Sequence, residues 1–236
     1  MQILYEDDAL LIVNKPNKMM VYPTLLAKNC HWFATKELEK LGYLNLYTVH
    51  RLDRPTSGLL LFAKDKEIAK EISILFSENK VNKTYLCLVR GFTDLEGSIE
   101  KELKKEGEGK LQKALTHYKS LQQQTVAIEI SKYPQSRFSL LEVKPVTGRM
   151  HQIRRHLAHL RHPIIGDVRY GDRHYNHYLK EQLDCENLLL HAYKMEFMHP
   201  VSGELIEITA PLPEEFKIVL KLFNFSMEQV LLRNED

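Results

Sequence analysis

A chain of 236 residues with 44% hydrophobic and 27% charged side chains is long and apolar enough to bury a large core, which excludes a disordered or fibrous protein. Lys and Arg total 33 against 31 Asp and Glu, and this net charge of +2 excludes a polybasic protein that binds nucleic acid by bulk charge alone. Cys30, Cys87 and Cys185 are widely spaced and lack any C-x-x-C, which argues against a disulfide framework or a thiolate zinc site and for a reducing compartment.

The start, Met1-Gln2-Ile3-Leu4-Tyr5-Glu6-Asp7-Asp8, carries no basic n-region and no long apolar run, so a cytoplasmic protein without a membrane partner is expected. Ile3 to Glu6 and Leu10 to Val13 flank Asp7-Asp8 and read as a hairpin ending at Asn14-Lys15-Pro16. A helical run is expected from Leu25 to Leu41, with Trp32 and Phe33 as packing residues. Leu59 to Ala63 reads as a buried strand, and Asp65 as the N-cap of a helix bearing Ile68, Ile72, Leu75 and Phe76 at the helical period. The next strand, Lys83 to Arg90, ends at Gly91.

The highly charged Asp94 to Lys113, with Glu106-Gly107-Glu108-Gly109 inside it, reads as a mobile surface loop and an insertion. Three β-rich runs follow, around His117 to Leu121, Val126 to Ile130 and Phe138 to Val143, and predict an antiparallel meander. After Thr147-Gly148 the stripe Met150, Ile153, Leu157 and Leu160 predicts a helix stopped by His162-Pro163. The spacing of Phe216, Val219, Leu220, Phe223, Met227 and Val230 predicts a closing helix from Glu214 to Leu232. No helix is interleaved in the meander from Leu115 to Val143, which excludes a doubly wound sheet, so the class is α+β, a mixed, mainly antiparallel sheet decorated by helices and loops. One domain over residues 1–236 is expected, with no separate N-terminal RNA-binding module because the first strand begins at Ile3.

Charge is uneven along this framework. Between Arg149 and His177 six arginines face two aspartates, an excess of four positive charges, and six of the 11 histidines fall there too. From Glu181 to Asp236 acidic residues exceed basic ones by seven. Such asymmetry suits a polyanion docking on one side, or two oppositely charged solvated faces. His156, His159 and His162 could place two imidazoles on one helical face, but no acidic or cysteine partner lies beside them to complete a metal site.

The densest polar segment, Val49-His50-Arg51-Leu52-Asp53-Arg54-Pro55-Thr56-Ser57-Gly58, runs straight into the buried strand. Loops mounted on rigid strands are where catalytic groups sit. Asp53 between Arg51 and Arg54 is a carboxylate suited to act as nucleophile or base, with the arginines holding an anionic partner; the alternative is a turn-capping aspartate between surface charges.

This loop resembles, nearly letter for letter, the active-site motif H-R-L-D-x-x-T-S-G-L-L-x-x-A-K of the RluA-type pseudouridine synthases. Further landmarks of that family occur in order: Asn14-Lys15-Pro16, Lys83-Thr84-Tyr85, Arg90-Gly91, Thr147-Gly148-Arg149-Met150-His151-Gln152-Ile153-Arg154, His162-Pro163-Ile164-Ile165-Gly166-Asp167, Leu189-Leu190-His191-Ala192 and His199-Pro200. The resemblance covers about the whole chain, and the joint occurrence is far more specific than any single match.

The resemblance implies the pseudouridine synthase catalytic fold and the isomerisation of uridine in RNA. Asp53 matches the catalytic aspartate, which attacks C1′ of the ribose or C6 of the base; Tyr85 matches a tyrosine that packs on the uracil and serves in proton transfer; Arg154 matches the basic residue that pairs with the aspartate. Arg51 matches an arginine that fills the gap left by the flipped nucleotide, with a plain phosphate clamp as its alternative. Arg54, Arg149, Arg155 and Arg161 are expected to join it on the RNA backbone. The partner implied is RNA, a tRNA first and a ribosomal-RNA hairpin second, met by a monomer that needs no metal or cofactor. A hydrolase using Asp53 lacks an accompanying base and phosphate loop, and a non-catalytic RNA-binding protein of the same fold is opposed by the intact Asp53, Tyr85 and Arg154.

Overall fold

The computed structural model describes residues 1–24, 30–130 and 134–226, and the chain divides into two compact units. The first contains residues 1–84 and 191–211, the second residues 85–190 and 212–236.

The first unit opens with the expected hairpin, β1 (Gln2–Glu6) and β2 (Leu10–Lys15). Its turn is closed by Asp7, whose Oδ1 accepts from the N–H groups of Ala9 (2.8 Å) and Leu10 (2.6 Å). Short β3 (Tyr47–Thr48) pairs with β4 (Ser57–Ala63), which also lies antiparallel to β2 and parallel to β11 (Leu190–Met198). A further strand, β12 (Leu205–Thr209), borders β11. All seven residues of β4 are buried, as a strand with neighbours on both edges and cover on both faces requires. Helix α1 (Ala34–Lys40) puts Ala34 and Leu38 into one core cluster with Leu11, Val13, Leu60 and Phe62. Helix α2 (Lys66–Ser77) begins where Asp65 accepts from Glu67 N (2.7 Å), as its sequence predicts.

In the second unit β5 (Asn82–Arg90), β10 (Ser136–Pro145), β9 (Leu115–Val126) and β6 (Glu96–Glu100) lie in that order, each antiparallel to the next. Helix α3 (Gln152–His159) lays Ile153 and Leu157 on Cys87, Val89, Leu141 and Val143 of this sheet. Helix α4 (Arg173–Leu183) is capped by Asp172, and α5 (Glu214–Leu222) stacks Phe223 at its end on Phe138, ring centroids 4.4 Å apart.

Several expectations are corrected. The segment 94–113 is not a loop: it contains β6 and a ribbon of β7 (Leu103–Lys104) and β8 (Leu111–Gln112), with Glu106 to Gly109 in its turn. The meander has two long strands in place of three runs, because β9 continues through Gln122-Gln123-Gln124. These glutamines donate to the carbonyls of Ser226, Thr93 and Asn224, so polar residues extend the strand. Helix α1 starts only at Ala34, Trp32 is 42% exposed, and residues 25–29 of the expected helical run lie outside the described residues. Met227 and Val230 of the expected closing helix also lie outside them. Cys87 and Cys185 are buried as core fillers, whereas Cys30 is only half-buried. No helix among the described residues is long and apolar enough to cross a membrane.

Candidate functional site

Asp53 sits half-buried in the loop between β3 and β4, and three clamps fix that loop. The first is Lys15, placed opposite Gly58 by the β2–β4 register and fully buried. Its Nζ donates to the carbonyls of Pro16 (2.9 Å), Met19 (2.9 Å) and Arg54 (3.4 Å), which suits an ammonium with three protons. Burial pushes its pKa down to about 7, while the neighbouring Asp53 carboxylate pulls the other way. In the second clamp Asn17 Nδ2 donates to Pro55 O (2.6 Å) and Arg54 Nε returns a bond to Lys18 O (3.2 Å), buttoning the 15–19 turn to the Asp53 loop. Thr56 N closes the loop on Asp53 O (3.0 Å).

The third clamp is a pair of neutral histidines. His50 Nε2 accepts from Leu61 N (2.9 Å) and its ring stacks on Phe76 of α2. Burial, helped by the Lys83 charge, pushes its pKa down to about 3, so Nδ1 carries the single proton. His191 on β11, pushed down to about 4 by burial, donates from Nε2 to Ala210 O (3.2 Å) and accepts at Nδ1 from Ser57 Oγ (2.9 Å). Asp53 is thus carried by a loop held at both ends. Arg51 and Arg54 flank it and are exposed, an arrangement open both to groups that meet an anion and to plain surface charges.

In the second unit Tyr85 stands half-buried at the start of β5 and packs against the cluster that includes Ile153 and Leu157. Between those two residues Arg154 is 4% exposed and makes a two-pronged pair with Asp167, Nε to Oδ2 at 2.8 Å and Nη2 to Oδ1 at 2.9 Å. Burial would raise the Asp167 carboxyl. The Arg154 bond and charge, and the N–H groups of Tyr170 (3.0 Å) and Arg169 (2.9 Å), hold it below the usual range instead. Asp167 was legible only as one letter of a motif, and its role as the counter-ion of Arg154 within this unit is given by the fold.

Gln152 locks the start of α3: its Oε1 accepts from Thr147 Oγ1 and Arg149 N, and its Nε2 donates to Leu115 O. Arg149 and Arg155 reach the ribbon, donating to Lys113 O and Lys104 O (3.1 Å each), and Arg161 is exposed just beyond the helix. Of the expected RNA-binding residues the fold therefore groups Arg51 with Arg54 in one unit and Arg149 with Arg155 in the other. The three spaced histidines diverge: His156 donates to Lys101 O (3.1 Å), His162 to Arg90 O (2.9 Å), and His159 lies 3.0 Å from Lys101 Nζ. No group of three or more metal-ligating side chains occurs among the described residues.

The α+β fold is that of solved pseudouridylate synthases. It matches "Human RNA Pseudouridylate Synthase Domain Containing 4" with a TM-score of 0.72 and 25% identity, over 96% of this chain and 94% of that one. "Human RNA Pseudouridylate Synthase Domain Containing 1" gives the same TM-score over 98% and 93%. The family model described as RNA pseudouridylate synthase matches residues 9–159, and the chain belongs to that family as an RNA pseudouridine synthase. Among relatives, the tRNA pseudouridine synthase C of Vibrio parahaemolyticus is 38% identical over 98% of both chains. That of Haemophilus ducreyi is 40% identical over 95% of this chain and 96% of its own.

Proposed function

We propose that the protein converts one uridine of tRNA, uridine 65, to pseudouridine, with Asp53 as the nucleophile. Support for the tRNA substrate is the near full-length similarity to enzymes named tRNA pseudouridine synthase C. Support for Asp53 is its place in a loop that matches the family motif and is clamped by Lys15, Asn17 and His50. A nucleophile must be held still, since misplacement by about 1 Å costs on the order of a hundredfold in rate.

In the reaction the N1–C1′ bond breaks, the uracil turns and C5 bonds to C1′. The C5 proton is lost and N1 gains one, so no redox partner or external group is required. Asp53 attacks either C1′ or C6, Tyr85 packs on the uracil and moves the proton, and Arg154 supplies positive charge to the aspartate. Arg51 fills the place of the extruded nucleotide, and Arg54, Arg149, Arg155 and Arg161 bind the backbone. The active form is a cytoplasmic monomer of one catalytic domain.

The test uses tRNA transcripts carrying tritium at C5 of uridine. The wild type releases tritium; Asp53→Asn abolishes release and leaves RNA binding within about twofold, since no phosphate contact is removed. Wild-type turnover by that variant overturns the nucleophile. Mapping pseudouridines after gene deletion separates the substrates: a lost ribosomal-RNA site with every tRNA site intact overturns the tRNA assignment and leaves the enzyme class standing.

A further inference from the structure

The β7–β8 ribbon and its flanks, residues 101–113, carry five lysines against three glutamates, and two of those glutamates, Glu106 and Glu108, lie in its turn. The Glu106 carboxylate is aimed back at the protein. Its Oε1 accepts from Arg169 Nη2 at 2.5 Å, although both side chains are about half exposed.

Arg169 belongs to a loop frozen by Asp167, which accepts from the N–H groups of Arg169 and Tyr170 while its carbonyl accepts from Gly171 N (2.9 Å). The Tyr170 ring is the floor: Arg169 Cζ lies 5.5 Å from its centroid, and His151 meets it edge-on at 5.6 Å with Nδ1 3.0 Å from the Tyr170 hydroxyl. Arg155 is pinned two residues before Glu106 by its bond to Lys104 O. The Glu106 carboxyl is held below its ordinary range, first by the Arg169 hydrogen bond and further by the charges of Arg169, His151 and Arg155. Arg154, also beside Tyr170, has its charge matched by Asp167.

We propose that Arg169, Arg155 and His151 form a subsite for a phosphodiester of the RNA substrate, which Glu106 occupies in the free protein as a built-in stand-in for that phosphate. A carboxylate and a phosphodiester each carry one negative charge and both accept from guanidinium N–H groups. The exposed Arg169–Glu106 pair is weak enough to be exchanged, whereas the Asp167-held backbone beneath Arg169 stays put. The inference rests on the reading of the substrate as a folded RNA, and it adds Arg169 and His151 to the RNA-binding residues.

The experiment measures binding of an unmodified tRNA transcript by fluorescence anisotropy at one salt concentration. Glu106→Gln tightens binding by about two- to fivefold, the range of an exposed ion pair. Glu108→Gln, the same charge change on the same turn but at a residue paired with Lys105, gives a smaller gain. Arg169→Ala weakens binding, and in its background the Glu106→Gln gain vanishes. Unchanged or weaker binding by Glu106→Gln, an equal gain from Glu108→Gln, or a gain that survives in the Arg169→Ala background each overturns the subsite. Tritium release by the wild type is read in parallel: its absence from every RNA sinks the functional reading, whereas release with an unresponsive Glu106 overturns the subsite alone.

Discussion

Lys15 is a charge kept where water is excluded. An ammonium loses its hydration on burial, and the three carbonyls it meets, with Asp53 nearby, return only part of that loss. Its proton is therefore held near neutrality, with a pKa of about 7 in the fold against about 10.4 in the unfolded chain. Between about pH 7 and pH 10 the unfolded state binds a proton that the folded state has released, so stability rises with pH across that window. Below it both states are protonated and Lys15 contributes no slope. Denaturant unfolding of wild type and Lys15→Met over this range checks the sign. The wild type gains stability relative to the variant as pH rises, and parallel curves would show that the ammonium is not destabilised by burial. Activity of Lys15→Met should fall at least tenfold, because the Asp53 loop loses its tie at Arg54 O.

At the scale of elements, the Asp53 loop depends on how closely β4 and β11 approach. Gly58 has φ +109°, and a Cβ there would lie 2.2 Å from Ala192 O. Gly58→Ala must both leave a backbone region that suits glycine and push two strands apart, so a loss of more than about 3 kcal/mol is expected in urea unfolding. Gly203→Ala, at φ +70° with nothing within 4 Å of its Cβ, should cost only about 1 kcal/mol. Equal losses would mean that backbone conformation alone decides and the strand contact does not.

The elements that could be read from sequence have a period, an apolar run or a cap: the β1–β2 hairpin, the Leu59 to Ala63 part of β4, and α2 behind Asp65. The β7–β8 ribbon escaped because Leu103 is buried while Lys104, Leu111 and Gln112 are not, which leaves no apolar alternation to see. Helix α4 escaped because its sequence RHYNHYLKEQL buries only Leu179 fully. The site divides the same way. Asp53 and its arginines lie in one short motif, whereas Ser57 and His191 are 134 residues apart and Arg154 finds Asp167 across a turn, pairings set by folding alone.

For the molecule as a whole, the excess of positive charge between Arg149 and His177 already sets Asp167 against Arg154, and the fold lowers it further by setting Glu106 against Arg169 until an anion displaces it. On the proposed reading Arg155, tied to the ribbon, and Arg161, exposed beyond α3, are among the groups that meet backbone phosphates. Each phosphate neutralised by a protein cation releases counterions and adds about 0.7 to 0.9 to the slope of log affinity against log salt. Arg155→Ala with Arg161→Ala should therefore lower that slope by one to two, weakening binding of cognate and unrelated RNA alike, because such contacts carry little sequence information. Lys217→Ala with Lys221→Ala, on α5 within the acidic C-terminal part, makes the same change in net charge and should leave the slope unchanged. Titrations of tRNA across a salt series decide it. An unchanged slope for the arginine pair moves the RNA interface away from α3, and an equal fall for the lysine pair shows that the slope reports overall charge and not a place on the protein.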